Sequence, residues 1–215
     1  MKVGVICEGH TDRAVITNIL KGVKGIDSSN IIPLRPEDSL DETDLANIPV
    51  DQFSNWTLVK KECETRQKLN RFLSLEGQDV VVIHIDSAES DEYGVAKPIK
   101  DNNYSTNLRA AIISKMKEWL GDDFSDDEII YAVAVEETEA WVLTIYEKRE
   151  SSTSADPKRK LRQFLSQKGI KYGQNYNDFL WISDALSKKK KYAKERFLSY
   201  NESLKEFCIE VENKL

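Results

Sequence analysis

Two carboxylates stand where a folded chain can bring them to one place. Glu8 follows the apolar run Val3-Gly4-Val5-Ile6-Cys7 and opens the turn Glu8-Gly9-His10-Thr11-Asp12; Asp86 ends a second apolar run, Val80-Val81-Val82-Ile83-His84-Ile85. A hard dication such as Mg²⁺ takes near-octahedral oxygen coordination, usually from one or two carboxylates, several waters and a phosphate oxygen. Glu8 with Asp86 supplies that minimum. A cation held there would neutralise and orient a phosphodiester and lower the pKa of a bound water. Each acid also has a local use: Glu8 is favoured beside a helix N-terminus by about 0.3–1 kcal/mol, and Asp86 can bond backbone amides as a loop starts.

Other polar groups cluster near these two. Glu89 and Asp91 follow Asp86 within a few residues, and Glu136 and Glu139 stand three apart after the apolar run 129–135. On a helix that spacing puts both on one side. His84 shares strand parity with Val82 and Asp86, hence the same face of a sheet, whereas His10 lies in the first turn, positioned to touch substrate. Asp12 can hold that turn or a second metal, and the turn is the favoured reading. Trp141 is expected in the core. Farther along, Lys188-Lys189-Lys190-Lys191 with Tyr192, Lys194 and Arg196 can grip a phosphate backbone, or serve as a solvated helix face. No G-x-x-x-x-G-K-[ST] loop occurs, which argues against ATP hydrolysis by this chain.

The elements that must position these groups alternate. Residues 2–7 read as a strand, and Val15, Ile16, Ile19, Leu20 and Val23 then carry helical spacing, with Thr11 or Asp12 as N-cap and Gly22 or Gly25 as stop. Residues 30–34 form a second strand, and the acidic segment 37–51 lacks a period and is expected to be a loop or insertion. A helix over 58–75, closed by Gly77, leads into the strand ending at Asp86. The polar stretch 87–103 is long enough to form a mobile cover over the strand ends. A helix through Leu108–Leu120 and a strand over 129–135 follow. Short, nearly all-apolar strands alternating with helices indicate an α/β fold with a parallel sheet covered on both faces. Right-handed crossovers put every strand-to-helix turn on one edge, where Glu8, Asp86 and Glu136 should converge.

After Glu150 the run Ser151-Ser152-Thr153-Ser154 reads as a linker, followed by helical stretches near 157–168, 176–187 and 190–214. Two regions result: an α/β domain over 1–150 and a basic helical extension over 151–215, expected to pack back on the sheet. The net charge of −6 divides unevenly, with 14 Lys and Arg against 8 Asp and Glu in 151–215, so that +6 there leaves −12 for 1–150. Acid around the candidate site repels a polyanion unless cations neutralise it, while the basic part can hold phosphates. Three cysteines without C-x-x-C pairing suggest neither a disulfide framework nor a zinc knuckle. Neither a secretory signal pattern nor an apolar run of roughly 18 residues is present, so a soluble cytoplasmic protein is expected.

The E-G ending the first strand, the following T-D and helix, and the acid closing V-V-V-I-H-I-D together resemble the toprim domain. Glu136-Glu137-Thr138-Glu139-Ala140-Trp141-Val142-Leu143 resembles the E-x-E-A-W-x-L signature of small stand-alone toprim-like proteins related to the overcoming-lysogenization-defect nucleases. The resemblance covers roughly residues 1–146. It implies a toprim-like, four-stranded, mainly parallel sheet flanked by helices, and Mg²⁺-dependent nucleic-acid cleavage, Mn²⁺ being able to substitute, in antiviral phage defence. Glu8 would be the toprim glutamate and Asp86 the first aspartate of D-x-D. The second is absent, since Asp86-Ser87-Ala88 stands there; Glu89 or Asp91, with Glu139, would complete the metal site, and His10 and Lys188–Lys191 would contact DNA or RNA. The missing aspartate also fits a catalytically weakened toprim fold that binds nucleic acid or a partner ATPase. A third reading makes Asp86 a phosphotransfer nucleophile.

Overall fold

Four parallel strands carry the molecule: β1 (Lys2–Ile6), β2 (Ile31–Arg35), β3 (Gln78–Asp86) and β4 (Ile129–Ala134), ordered β2-β1-β3-β4. The computed structural model describes residues 1–36, 55–122 and 124–215. The expected acidic loop over 37–51 lies outside them. Nine α-helices among the described residues flank the sheet: α1 (His10–Lys24), α2 (Asn55–Thr65), α3 (Gln67–Leu73), α4 (Tyr104–Leu120), α5 (Glu139–Tyr146), α6 (Pro157–Gln167), α7 (Tyr176–Ile182), α8 (Lys189–Glu195) and α9 (Glu202–Lys214). This is the α/β, toprim-like layout anticipated, with helical C-terminal residues.

Strand parity divides the core. Val3, Val5, Val80, Val82, Ile130 and Ala132 pack on α1 and the C-terminal helices, while Ile6, Val81, Ile83, Ile85, Tyr131 and Val133 pack on α2, α3 and α4. Residues 151–215 therefore complete one layer of the sandwich: Leu161, Phe179, Leu186, Phe197 and Phe207 share a single buried cluster with β1 and α1. The Ser151–Ser154 run is no exposed linker. Ser151, Ser152 and Ser154 are buried, and the Ser151 hydroxyl reaches the Ala140 carbonyl at 2.9 Å, because small hydroxyls can pair with backbone in a seam too tight for larger polar groups.

Two expected helices are broken. Arg66 adopts φ 55° between α2 and α3, and Glu62 then accepts the amides of Lys68 and Leu69 at 2.8 and 3.1 Å, starting a new helix in place of a continuous 58–75. Arg196, at φ 57°, likewise ends α8, and Asn201 caps α9 by accepting from the Leu204 amide at 2.9 Å. At α1 the N-cap is Gly9 and the stop is left-handed Gly25 at φ 72°. Gly22 stays inside that helix for another reason: a Cβ there would lie 1.9 Å from the Leu186 carbonyl oxygen. Among the described residues, no helix is long and apolar enough to cross a membrane.

Candidate functional site

The carboxyl ends of β1, β3 and β4 meet on one edge of the sheet, and the chain leaves each through a short acidic turn. From β1 the turn Cys7-Glu8-Gly9 enters α1, where Asp12, one turn in, accepts the Gly9 amide at 2.9 Å. That bond is half of a capping box, because Gly9 has no side chain to return it. β3 ends at Asp86, whose own amide donates to Glu8 Oε1 at 2.6 Å. From β4 the chain passes through Glu136, held at φ 67°, into α5, with Thr138 as its cap and Glu139 in its first turn.

Asp12, His84 and Asp86 present ligand atoms that all lie within 4.8 Å of one another. Asp12 and His84 are buried, and Asp86 keeps 22 % of its side chain open. The Thr138 hydroxyl links two of them, donating to Asp86 Oδ1 at 3.1 Å and lying 2.9 Å from His84 Nε2, which is itself 3.3 Å from Asp86 Oδ1. Burial and then the Asp86 charge push the Glu8 carboxyl up to about 8. Burial, then Asp12 and Glu139, push Asp86 well above the carboxylate range against the Thr138 hydrogen bond. Glu139, 7 % exposed, rises to about 7 through burial and then Asp12. Acids that raise each other in this way are crowded around a space a cation would neutralise. Carboxylate oxygens from Asp12 and Asp86 fit a hard dication such as Mg²⁺.

The expected residues divide in three. Glu8 bonds the Asp86 amide, and Glu139 is close enough to Asp86 for its charge to act on that carboxyl. Glu89 and Asp91 are exposed in turns beyond β3, outside the group of three. Ser87, first residue of that loop, is fully buried with its Oγ accepting the Glu136 amide at 2.6 Å. Glu136 itself turns toward α4, accepting from Tyr104 at 3.1 Å and pairing with Lys100 at 3.4 Å. Asp12, assigned to the turn by sequence, serves the turn and the site together. The same-face parity of His84 and Asp86 was the available signal for His84.

The segment 87–103 is pinned at several points. Tyr93 is buried and its hydroxyl donates to the Asp86 carbonyl at 2.9 Å, while Lys97 reaches the Ala88 carbonyl at 2.8 Å. His10 lies on the other flank, lining a cavity of about 360 Å³ with Arg13, Pro33 and Tyr176, in which the Arg13 guanidinium sits 4.7 Å over the Tyr176 ring. Lys188–Lys191 are elsewhere. Lys188 pairs with Asp184, and the neighbouring Leu186 and Tyr192 abut Gly22, near the far end of α1. At 1.5 Å per residue, the ten residues from Asp12 to Gly22 span about 15 Å of α1, and the lysine tract lies beside the far end of that span. All three cysteines are buried and free. No protein-family model, curated protein or solved structure matches this chain.

Proposed function

We propose that this chain is a Mg²⁺-dependent, toprim-type nuclease that cleaves nucleic-acid phosphodiesters, with Mn²⁺ able to substitute. The observation that carries the reading is the convergence of Asp12, His84 and Asp86 within 4.8 Å, with Glu8 bonded to the Asp86 amide beside them. Asp12 and Asp86 would hold the cation. When bound, it supplies charge neutralisation at the phosphate and a lowered pKa for water. Glu8, 2.6 Å from the Asp86 amide, is fixed by that bond and placed to give or take a proton. Glu139 adds charge that favours cation uptake. The toprim resemblance of the E-G and V-V-V-I-H-I-D segments points to the same chemistry, and to a setting in phage defence. The test is cleavage of DNA and RNA in Mg²⁺ or Mn²⁺ by wild type, Glu8→Ala and Asp86→Ala: loss in both variants is expected, and equal activity in all three overturns the proposal.

A second reading has a specific observation behind it. Ala88 stands where a second aspartate would be, Ser87 is committed to the Glu136 amide, and Glu89 and Asp91 point to solvent. A fold weakened in catalysis would then bind nucleic acid or a partner ATPase. Metal-independent binding of nucleic acid without cleavage would favour it.

A further inference from the structure

We infer that His84 is a positioning residue, one that fixes the Asp86 carboxylate through Thr138 and leaves the cation an all-oxygen site. The inference rests on the metal reading above and adds to it which of the three clustered residues touches the ion. With a cation in place Asp86 is a carboxylate and can only accept, so the single Thr138 hydroxyl proton points at Asp86 Oδ1, 3.1 Å away. The Thr138 oxygen then has only lone pairs for its other neighbour, and His84 Nε2 at 2.9 Å must donate to it. Nε2 therefore carries the ring proton in this arrangement. Its lone pair is unavailable to a metal.

The other ring nitrogen agrees. A ligating histidine almost always donates its second N–H to a carboxylate, carbonyl or water, which fixes the tautomer and raises its basicity. His84 is wholly buried beside Trp141, whose ring lies edge-on at 6.0 Å, and Nδ1 has no hydrogen-bond partner among the described residues. For Nε2 to ligate, Nδ1 would have to carry the proton with nothing to receive it, leaving a buried donor unpaired. With the proton on Nε2, every N–H of the ring is satisfied. The chain Nε2–H to Thr138 to Asp86 is then an outer-shell arm of the kind that orients a ligating carboxylate. It also explains why strand parity puts a histidine two residues before Asp86 on the same face.

The ring arm also predicts metal preference. Imidazole in the coordination shell favours later transition metals, whereas carboxylate and water alone suit Mg²⁺ and Mn²⁺. Calorimetric titration of Mg²⁺ and Mn²⁺ into wild type, Thr138→Val, His84→Gln and His84→Leu reads the roles apart. Thr138→Val keeps the imidazole and cuts the arm, so it should weaken Mg²⁺ binding by about tenfold or more, as outer-shell losses do. His84→Leu should weaken it to a similar degree, and the double variant no further. His84→Gln, which can present an N–H near the Nε2 position, should recover part of the loss without changing the ratio of Mn²⁺ to Mg²⁺ affinity. Thermal melts confirm that each variant folds. Pulsed electron paramagnetic resonance of Mn²⁺-loaded wild type needs no variant: the absence of directly bonded nitrogen is expected. A nitrogen coupling from bound imidazole, or Thr138→Val binding Mg²⁺ as wild type does, overturns the inference while leaving the metal reading intact. Wild type that takes up neither ion overturns both.

Discussion

Burial and neighbouring acids hold protons on Glu8 and Glu139 far into the neutral range, at about 8 and about 7. In the unfolded chain both would titrate near the ordinary glutamate value, about 4.3. Below that value both states carry the protons and the contribution to stability is complete. As pH rises, the unfolded chain releases protons that the native chain keeps, so stability falls and the contribution is gone above about 8. Asp126, Asp156 and Asp184, held low mainly by their hydrogen bonds to Lys117, Arg159 and Lys188, act at more acidic pH and do not mask this window. In chelator, Tm should therefore decline between pH 5 and 8, less steeply in Glu8→Gln; a flat wild-type profile would contradict the crowding. Asp86→Asn belongs to the same logic. Removing an ionisable carboxyl from the group should flatten the decline of Tm with rising pH in the metal-free protein and abolish the rise on adding Mg²⁺, both readable by differential scanning fluorimetry. Of these residues, Glu8 and Asp86 follow apolar strands whose ends the sequence marks, whereas Glu139 was read from its spacing of three after Glu136, the strand-end acid that turns instead to Tyr104 and Lys100. Asp12 was read as holding the turn or a second metal, with the turn favoured, and Glu89 and Asp91 were drawn in by nearness in the chain. Sequence distance says nothing of which way a turn points a side chain.

Elements were legible where periodicity was sustained, as in the four strands and in α1 and α4. They were misread where one residue changes the backbone. Arg66 and Arg196 occupy the left-handed region, which no pattern of apolar residues announces, and each divides an expected helix. The role of α9 was also invisible, because it depends on a sheet edge that only the tertiary structure reveals. β4 is an edge strand, and α9 closes it: Glu210 accepts the Tyr131 amide at 3.2 Å, Lys214 donates to the Ile129 carbonyl at 2.5 Å, and Ser203 Oγ accepts the Val135 amide at 3.3 Å. Side chains satisfy the ladder groups that a fifth strand would otherwise take. Ser203 also accepts from Trp141 Nε1 at 2.8 Å, tying α5, and with it Thr138 and Glu139, to the same helix. Ser203→Ala would leave two buried N–H donors without a partner. The expected cost is about 2 kcal/mol or more, a fall in Tm of roughly 4–8 °C for a chain of this length, checked by thermal and urea denaturation. A change within 1 °C would show that water replaces the hydroxyl and that α9 is not what holds α5.

Across the whole molecule the charge asymmetry takes a spatial form. The first 150 residues carry −12 and the remainder +6. α1, buried along most of its length, separates the acidic strand ends from the exposed Lys189 and Lys190. A polyanion that contacts both ends must span at least the stretch of α1 from Asp12 to Gly22, about 15 Å, which corresponds to roughly four or five base pairs at 3.4 Å each along a duplex. On the nuclease reading, the two ends divide the work: the acids need a cation before they tolerate phosphate, and the lysines attract it without one. Length should therefore decide whether the lysines matter. With duplexes shorter than about four base pairs, substituting Lys189, Lys190 and Lys191 by Ala should leave KM unchanged; with duplexes of ten or more it should raise KM. The dependence of log K on log salt should become shallower by about 0.9 for each phosphate contact removed. An equal effect at every length would place the lysines in general charge balance, since uniform attraction does not depend on reaching a second point of contact. No effect at any length would assign the tract to a solvated helix face, with Lys188 and its partner Asp184 securing the turn before α8.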